Sequence, residues 1–551
     1  MEFTSVNKIF EASFRKNWDR PAISNYQGVT LKFGDVARRM EKLHIMFEEC
    51  GLQKGDKVAL CSRNQANWAV AFLATMTYGA VPVPLLHEFK SSNIHHLVNH
   101  SEAKILFVDD VIWEGLSETE MPDLHAIIQV NTFKLLYAKD ENIVQAREHL
   151  NELFGRKYPN AFTPADLNYY EDSAEELAII NYTSGTSGFS KGVMIPYRAV
   201  FSNLEFGNTV LPGLNNTKSV VSMLPSAHMY GLMFELLYEL SVGAHVHFLS
   251  RVPSPKIIMQ ALAEVKPYVI IAVPLVIEKI YKTKVKPILE KEGIKVLMKL
   301  PVLNQILMNK IRTELVNAFG GEFHEVIIGG AAFNKEVESF FKKMGFPFTV
   351  GYGMTECAPI ITYDDWTVEK LYSCGKAAPN MEIRIASADP ANIPGEIQVK
   401  GANVFLGYFK NEDATAEVLT EDGWFRTGDM GVMDAEGSLF IKGRTKCMIL
   451  GPSGQNIYPE EVETVINSQP YVVDSLVVED DGGLTALIYP DFQQGARDGM
   501  NQDAFVKYME GTLVELNKEL PNYAKLKKIE VMSEDFERTP KKSIKRYLYQ
   551  R

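Results

Sequence analysis

Eleven residues, Tyr182-Thr-Ser-Gly-Thr-Ser-Gly-Phe-Ser-Lys-Gly192, hold the densest set of groups able to do chemistry. Gly185 and Gly188 let a backbone approach a ligand closely and aim successive N–H groups at phosphate oxygens. Thr183, Ser184, Thr186, Ser187 and Ser190 add hydroxyl donors, and Lys191 adds a compact positive charge. The segment lies between the apolar run ELAIIN and the strand-like VMI, so the chain enters it directly from a buried strand. That arrangement suits a cradle for phosphate groups; a flexible Ser/Gly surface loop is the alternative. The Walker pattern GxxxxGK[ST] does not match, because Ser190 rather than glycine precedes Lys191.

Other pointed segments follow along the chain. They are Leu224-Pro-Ser-Ala-His-Met-Tyr-Gly231, Gly329-Gly-Ala-Ala332, Gly351-Tyr-Gly-Met-Thr-Glu356, Gly423-Trp-Phe-Arg-Thr-Gly-Asp429, Gly443-Arg444 and Gly454-Gln-Asn-Ile-Tyr-Pro-Glu-Glu-Val-Glu463. Each alone is weak. Together and in this order they resemble the signatures of the adenylate-forming superfamily, which includes acyl-CoA synthetases, peptide-synthetase adenylation domains and beetle-type luciferases. The wording GQNIYPEEVE looks most like the long-chain fatty acyl-CoA synthetases.

The resemblance implies roles that make physical sense. Thr183 to Gly188 and Lys191 would hold the phosphates of ATP, and Thr355 would contact one of them. Glu356, with Thr183, would hold Mg²⁺, an ion that keeps several waters and takes one or two protein oxygens. Tyr352 would offer its face to adenine, with Gly329 and Gly330 permitting close approach of the ring; Gly330, Ala331, Ala332 and Gly353 would belong to the nucleotide-binding set. Asp429 follows a turn and would accept the ribose hydroxyl protons; Arg444 would bridge ribose and phosphate. His228 would shape the pocket beside the acid's carboxylate. The implied reaction is attack of a carboxylate on the α-phosphorus of ATP, release of pyrophosphate, and transfer of the acyl group to a thiol.

One departure stands out. The family's adenylation lysine usually precedes Ile-x-Arg, and here Ser543 occupies that place in Arg538-Thr-Pro-Lys-Lys-Ser-Ile-Lys-Arg546. Lys542 is the nearest substitute, reaching the α-phosphate after a local shift. Residues 538–551 carry six basic residues and no acid; a solvated basic tail or a contact with an anionic surface is the other reading. Lys446 stands where members of the superfamily hinge between two arrangements, and Gly454 would let a pantetheine arm pass the backbone.

The elements that must position these groups come next. Strand-length apolar runs alternate with helix-like stretches: VALCS, the helix NQANWAVAFLATM, VPVPLL, the helix SSNIHHLVNHS and AKILFVDD. The pattern recurs at ELAIINYT, SVVSMLP, GAHVHFL, PYVIIAVP, HEVIIGGA and FPFTVGYG. Such alternation predicts βαβ units and buried parallel sheet, with ligands outside the carboxyl ends of the strands. From about residue 376 the strands MEIRIA, GEIQVKG and GSLFIKG alternate and are joined by turns, as in a small antiparallel barrel. After Lys446 the strands DSLVVED, LTALIYP and KKIEVM flank the helix-like QDAFVKYMEGTLVELNKEL. The expected architecture is an α/β large N-terminal domain over 1–445, with 376–445 its β-rich part, and a small, mobile α+β lid over 446–551.

Composition narrows the rest. With 551 residues and a net charge of −12, the chain has material for several domains, and its acidic balance argues against whole-surface binding to nucleic acid or anionic lipid, though a local basic patch could bind either. The uncharged stretch Trp68–Leu86 is interrupted by Gly79, Pro82 and Pro84, which predicts a buried helix ending at Gly79 rather than a membrane span of about 20 apolar residues. Five scattered cysteines, and a start without an apolar run of signal-peptide type, fit a soluble chain in a reducing cytoplasm. Peripheral contact with a membrane stays open.

The stretch Leu275–Phe319 resembles the extended region of long-chain enzymes and makes fatty acid the expected substrate. Its apolar positions could equally pack the helices onto the core. Glu235 could pair with a substrate ammonium group, though a helix-capping or water-facing place fits it better. The cofactors and co-substrates implied are ATP, Mg²⁺ and CoA. A carrier protein's phosphopantetheine as acceptor, or a nucleotide-binding pseudoenzyme, are the alternatives.

Overall fold

The computed structural model describes residues 2–183, 190–250, 254–450, 456–480, 482–539 and 543–551. Lys57–Cys61 lies between Val81–Leu85 and Ala103–Val108 in a parallel sheet that continues with Ala126–Gln129 and ends on the antiparallel edge Leu135–Ala138. A second sheet sets Ser219–Ser222, His245–Phe248 and Pro21–Asn25 parallel. A third does the same with Val269–Ala272, Glu325–Ile328 and Phe348–Val350. Most of these strands are continuous apolar runs, the pattern of parallel sheet buried on both faces; the second sheet differs, since His245–Phe248 alternates half-buried histidines with buried Val246 and Phe248.

The helix Ala66–Tyr78 buries every residue but Asn67 and Tyr78. It stops at Gly79, whose φ of +90° lets its N–H reach the carbonyls of Thr75 and Met76, and a Cβ there would meet the Tyr170 ring at 2.8 Å. The strand Val81–Leu85 follows, as the sequence predicts. Among the described residues no helix is long and apolar enough to cross a membrane.

Leu177–Thr183 departs from expectation. It joins no parallel sheet; it pairs antiparallel with Lys191–Pro196, which pairs in turn with Gly407–Tyr408. The reason is length: parallel neighbours need a crossover of about a dozen residues or more, and only residues 184–190 separate these strands.

The β-rich part is an antiparallel sheet of Met381–Ala386, Gly395–Gly401, Phe425–Met433 and Leu439–Arg444. After the turn Thr445–Cys447, the last unit pairs Val472–Asp480 antiparallel with Gly483–Pro490, and the latter parallel with Leu526–Val531. It has its own apolar core, including Val462, Ile466, Phe505 and Leu516. The long helix expected over 502–520 is two, Gln502–Gly511 and Leu513–Glu519, broken where the Thr512 hydroxyl donates to the Met509 carbonyl.

The Leu275–Phe319 stretch divides. Ile280, Val285 and Ile311 are buried against the third sheet's core, whereas Leu297, Leu303 and Ile306 are exposed.

Candidate active site

The segment Gly351–Cys357 runs off the end of the third sheet and sends two side chains in different directions. Tyr352 is buried, and its phenol donates to Oδ2 of Asp429 at 2.6 Å. Burial and the nearby carboxylate push that phenol far above its ordinary pKa. Glu356, in the tight turn Thr355–Cys357, is also buried and accepts a 3.0 Å hydrogen bond from the Tyr408 phenol. Gly353 is required by close approach, since a Cβ there would come within 2.3 Å of the Pro359 carbonyl oxygen.

Asp429 does not follow a turn. It lies inside the nine-residue strand Phe425–Met433, which absorbs a φ of +73° at Gly428 and shifts register after Met430. The polar and glycine-rich reading FRTGDMGVM hides the alternation by which a strand is recognised. Arg444 is not in a turn either: it is the cross-strand partner of Asp429, with Nε 3.2 Å from Oδ1. The carboxylate thus stands between a phenol and a guanidinium.

On the other side, Thr183 and Lys191 are cross-strand partners at the mouth of their hairpin. Nζ of Lys191 sits 4.5 Å from the centre of the Tyr408 ring, a cation–π distance. Tyr408 therefore links Lys191 to Glu356. Nothing in the spacing of the chain pointed to it, because Gly407–Tyr408 becomes a strand only by pairing with Met194 and Val193.

His228 ends a turn, residues 222–228, that three buried or half-buried side chains hold. Asn181 donates to the Ala227 carbonyl at 2.9 Å, and Asn64 accepts from the Ser226 N–H at 2.7 Å. Glu235 accepts from the Ser222 hydroxyl and from the N–H groups of Met223 and Leu224 at 3.0–3.1 Å. Glu235 is thus neither water-facing nor a helix cap. It is fully buried in a wide helical turn, Met233–Leu237, and burial holds its carboxyl far above the ordinary range. Asn64, just beyond the strand Lys57–Cys61, and Asn181, within Leu177–Thr183, had no sequence signal; only the fold brings them to this turn.

The exposed loop Gly330–Ala332 leaves open space after the strand Glu325–Ile328, and Gly330 takes a φ of +87°. A Cβ on its neighbour Gly329 would meet the Tyr230 ring at 3.3 Å. Lys446 is exposed in the turn Thr445–Cys447. Beside it, a Cβ on Gly443 would touch Glu460 and Tyr458 of the last unit, and Lys442 pairs with Glu461 at 3.2 Å. Ser184, Gly185, Thr186, Ser187, Gly188, Gly454 and Lys542 lie outside the described residues. Ser543, exposed, accepts at its carbonyl from the Thr539 N–H.

Among the described residues of the basic tail, each cation is paired with an acid. Arg538 pairs with Asp474 and Asp535, Lys545 with Glu537, Arg546 with Glu463, and Arg551 with Asp480 and Glu530.

The AMP-binding enzyme family matches residues 10–409, and the AMP-binding enzyme C-terminal domain matches residues 448–551. The chain belongs to the AMP-binding enzyme family. Among related AMP-binding enzymes, a long-chain-fatty-acid–CoA ligase of Escherichia coli O6:H1 is 28% identical over 97% of this chain and 95% of its own. The long-chain-fatty-acid–CoA ligase ACSBG2 of Rattus norvegicus is 27% identical over 86% of this chain and 73% of its own.

Two solved structures share the fold of this AMP-binding enzyme. ATP-bound MatB from Rhodopseudomonas palustris superposes with a TM-score of 0.77 at 23% identity, over 99% of this chain and 98% of that one. The anthranilate CoA ligase AuaEII in complex with anthranoyl-AMP gives 0.80 at 17% identity, over 100% and 97%.

Proposed function

We infer that the protein joins a long-chain fatty acid to coenzyme A in two steps driven by ATP. In the first, a carboxylate oxygen attacks the α-phosphorus, the bond to pyrophosphate breaks, and an acyl-adenylate forms. In the second, the thiol sulfur attacks the acyl carbon, the bond to AMP breaks, and the thiol proton passes to solvent. The family membership and the ligase relatives aligned over nearly the whole chain support this reading.

The observation that carries it is the placing of Tyr352 and Glu356 four residues apart on one segment, the first on Asp429 and the second beside Tyr408 and Lys191. One end suits a ribose, with the Asp429 carboxylate, oriented by Tyr352 and Arg444, to accept hydroxyl protons on its remaining lone pairs. The other suits the phosphates, with Lys191, Thr355 and the loop from Thr183 to Gly188 as donors. A fixed lysine and preset donors stabilise charge as it builds on the phosphates, without reorganising at the moment of reaction.

Mg²⁺ fits the donor set. Glu356 is a buried carboxylate, and with the Thr183 hydroxyl it would hold the ion, which takes one or two protein oxygens and keeps several waters. When bound, the ion offsets phosphate charge. His228, on its three-point-held turn, walls the acid's carboxylate. Lys542 is the residue for the α-phosphate, Lys446 the hinge between the body over 1–445 and the lid over 446–551, and Gly454 the place where the pantetheine arm passes. Scattered free cysteines support a reducing, cytoplasmic setting.

ATP–pyrophosphate exchange over fatty acids of increasing length tests the first step. Exchange that peaks with long chains is expected; no exchange with any acid would make the chain a nucleotide-binding protein without adenylation. Thioester formation on CoA, compared with a holo-carrier protein, tests the second. Product on the carrier alone would overturn CoA as acceptor.

A further inference from the structure

Residues 279–310 hold eight lysines and two glutamates, a surplus of six positive charges in a chain whose total is −12. This excursion leaves the third sheet after Ala272 and folds back through the helices Glu292–Met298 and Pro301–Ala318. The second helix buries side chains only from Met308 onward. Its first two turns and the preceding helix form an open tip. Val296 is 60% exposed, Leu300 50%, Val302 73% and Ile306 60%, with Leu297 and Leu303 beside them. Six large aliphatic side chains within eleven residues, facing water around one turn, are not the scattered single apolar residues of an ordinary surface.

Lys291 and Lys299 flank this tip, and Lys279, Lys282 and Lys284 lie on the preceding helical segment of the same excursion; all five are exposed and form no ion pair among the described residues. Lys295 and Lys310 pair only with their helix neighbours Glu292 and Glu314. The contrast with the C-terminal tail is direct, since there each described basic residue has an acid from the body of its domain or its own turn.

Composition decides what kind of partner fits. Protein–protein interfaces gather aromatic residues and arginine and avoid lysine. Between Lys282 and Ile311 there is no aromatic residue and no arginine. Lysine suits a lipid surface instead: its stem lies along apolar material while its ammonium stays at the headgroups. An anionic leaflet attracts such a cluster within a Debye length.

We propose that the turn joining the helices Glu292–Met298 and Pro301–Ala318 inserts its aliphatic tip into an anionic phospholipid bilayer, with the surrounding lysines on the headgroups. The docking does not depend on which acid the site activates, and it is read without turnover.

The test is co-sedimentation of the full chain with vesicles of phosphatidylcholine alone, or with roughly a third of phosphatidylglycerol added. Binding to the anionic vesicles only, weakening as salt is raised, is expected. Lys291→Glu with Lys295→Glu and Lys299→Glu should weaken it at least about tenfold. Leu300→Ser with Val302→Ser and Ile306→Ser should weaken it on the same vesicles by a comparable factor. All six positions are exposed, so melting temperatures should match that of the parent chain; the single change Val302→Asp serves if a triple variant melts early. Equal binding by parent and variants, or equal binding to both vesicle types, overturns the proposal. So does a lipid-free dimer, seen by sedimentation velocity, that the serine variant dissolves, for the face would then belong to a second copy.

Discussion

The phenol of Tyr352 donates a 2.6 Å hydrogen bond to one oxygen of Asp429, while Nε of Arg444 stands 3.2 Å from the other. The carboxylate is therefore oriented before any ligand arrives, and each oxygen keeps a lone pair for a further donor. Hydrogen bonds to charged groups contribute about 1.5–3 kcal/mol each. Asp429→Asn should reduce ATP–pyrophosphate exchange by about 100-fold or more. Tyr352→Phe, which removes orientation but leaves the acceptor, should raise KM for ATP by about tenfold. An unchanged KM for ATP in Tyr352→Phe would show that the phenol does not set the carboxylate.

Tyr408 touches both Lys191 and Glu356, and its two contacts can be separated. Tyr408→Phe keeps a ring under the ammonium but removes the donor to Glu356. Tyr408→Leu removes both. With a cation–π contact at about 0.5–2 kcal/mol, the leucine variant should form acyl-adenylate about twofold to thirtyfold more slowly than the phenylalanine variant at saturating ATP. Single-turnover measurement of adenylate checks this; identical rates would remove Tyr408 from the placing of Lys191.

Lys542 and Lys446 are distinguished by half-reaction. Lys542→Ala should lower pyrophosphate exchange by about 100-fold while leaving thioester formation from supplied acyl-adenylate nearly intact. Ser543→Ala should change neither. Lys446→Pro, which fixes φ near −65° in the turn Thr445–Cys447, should affect the two half-reactions unequally. A uniform loss would sink the hinge assignment.

Glu239 gives a prediction about stability. It is fully buried, and neither carboxyl oxygen has a hydrogen-bond partner among the described residues. Burial pushes its carboxyl up to about 8 from an ordinary 4.5. Between those values the folded chain keeps a proton that the unfolded chain releases, so this group's contribution falls as pH rises. Glu239→Gln removes that dependence. The melting temperature of the variant minus that of the parent should grow by about 2 °C or more from pH 5 to pH 8. A difference that is flat in pH would mean that the carboxyl finds a partner in solution.

Much of the fold was legible because its signals are local. The helix stopping at Gly79, the strand after it and the three parallel sheets follow from apolar run length and from a residue able to take positive φ. Reading failed where pairing overrides pattern. Leu177–Thr183 has the composition of a parallel strand, but its short return forces a hairpin. Phe425–Met433 has no alternation and is a strand because two neighbours hold it. Glu235 sits in an apolar run that says nothing of the three donors converging on it from the strand Ser219–Ser222 and the residues just after it.

By itself the sequence determined the chemistry available: a hydroxyl- and glycine-rich loop closed by Lys191, the acids Glu356 and Asp429, and the ordered signatures that place the chain among AMP-binding enzymes. Those follow from residue type and local spacing. Only the tertiary structure decided which groups meet. Tyr352 reaches Asp429 across 77 residues and Tyr408 reaches Glu356 across 52. It also decided that the aliphatic residues of one helical excursion face outward while the basic tail turns in. Contacts at that separation depend on sheet register and on which faces are left to pack, and no local pattern encodes either.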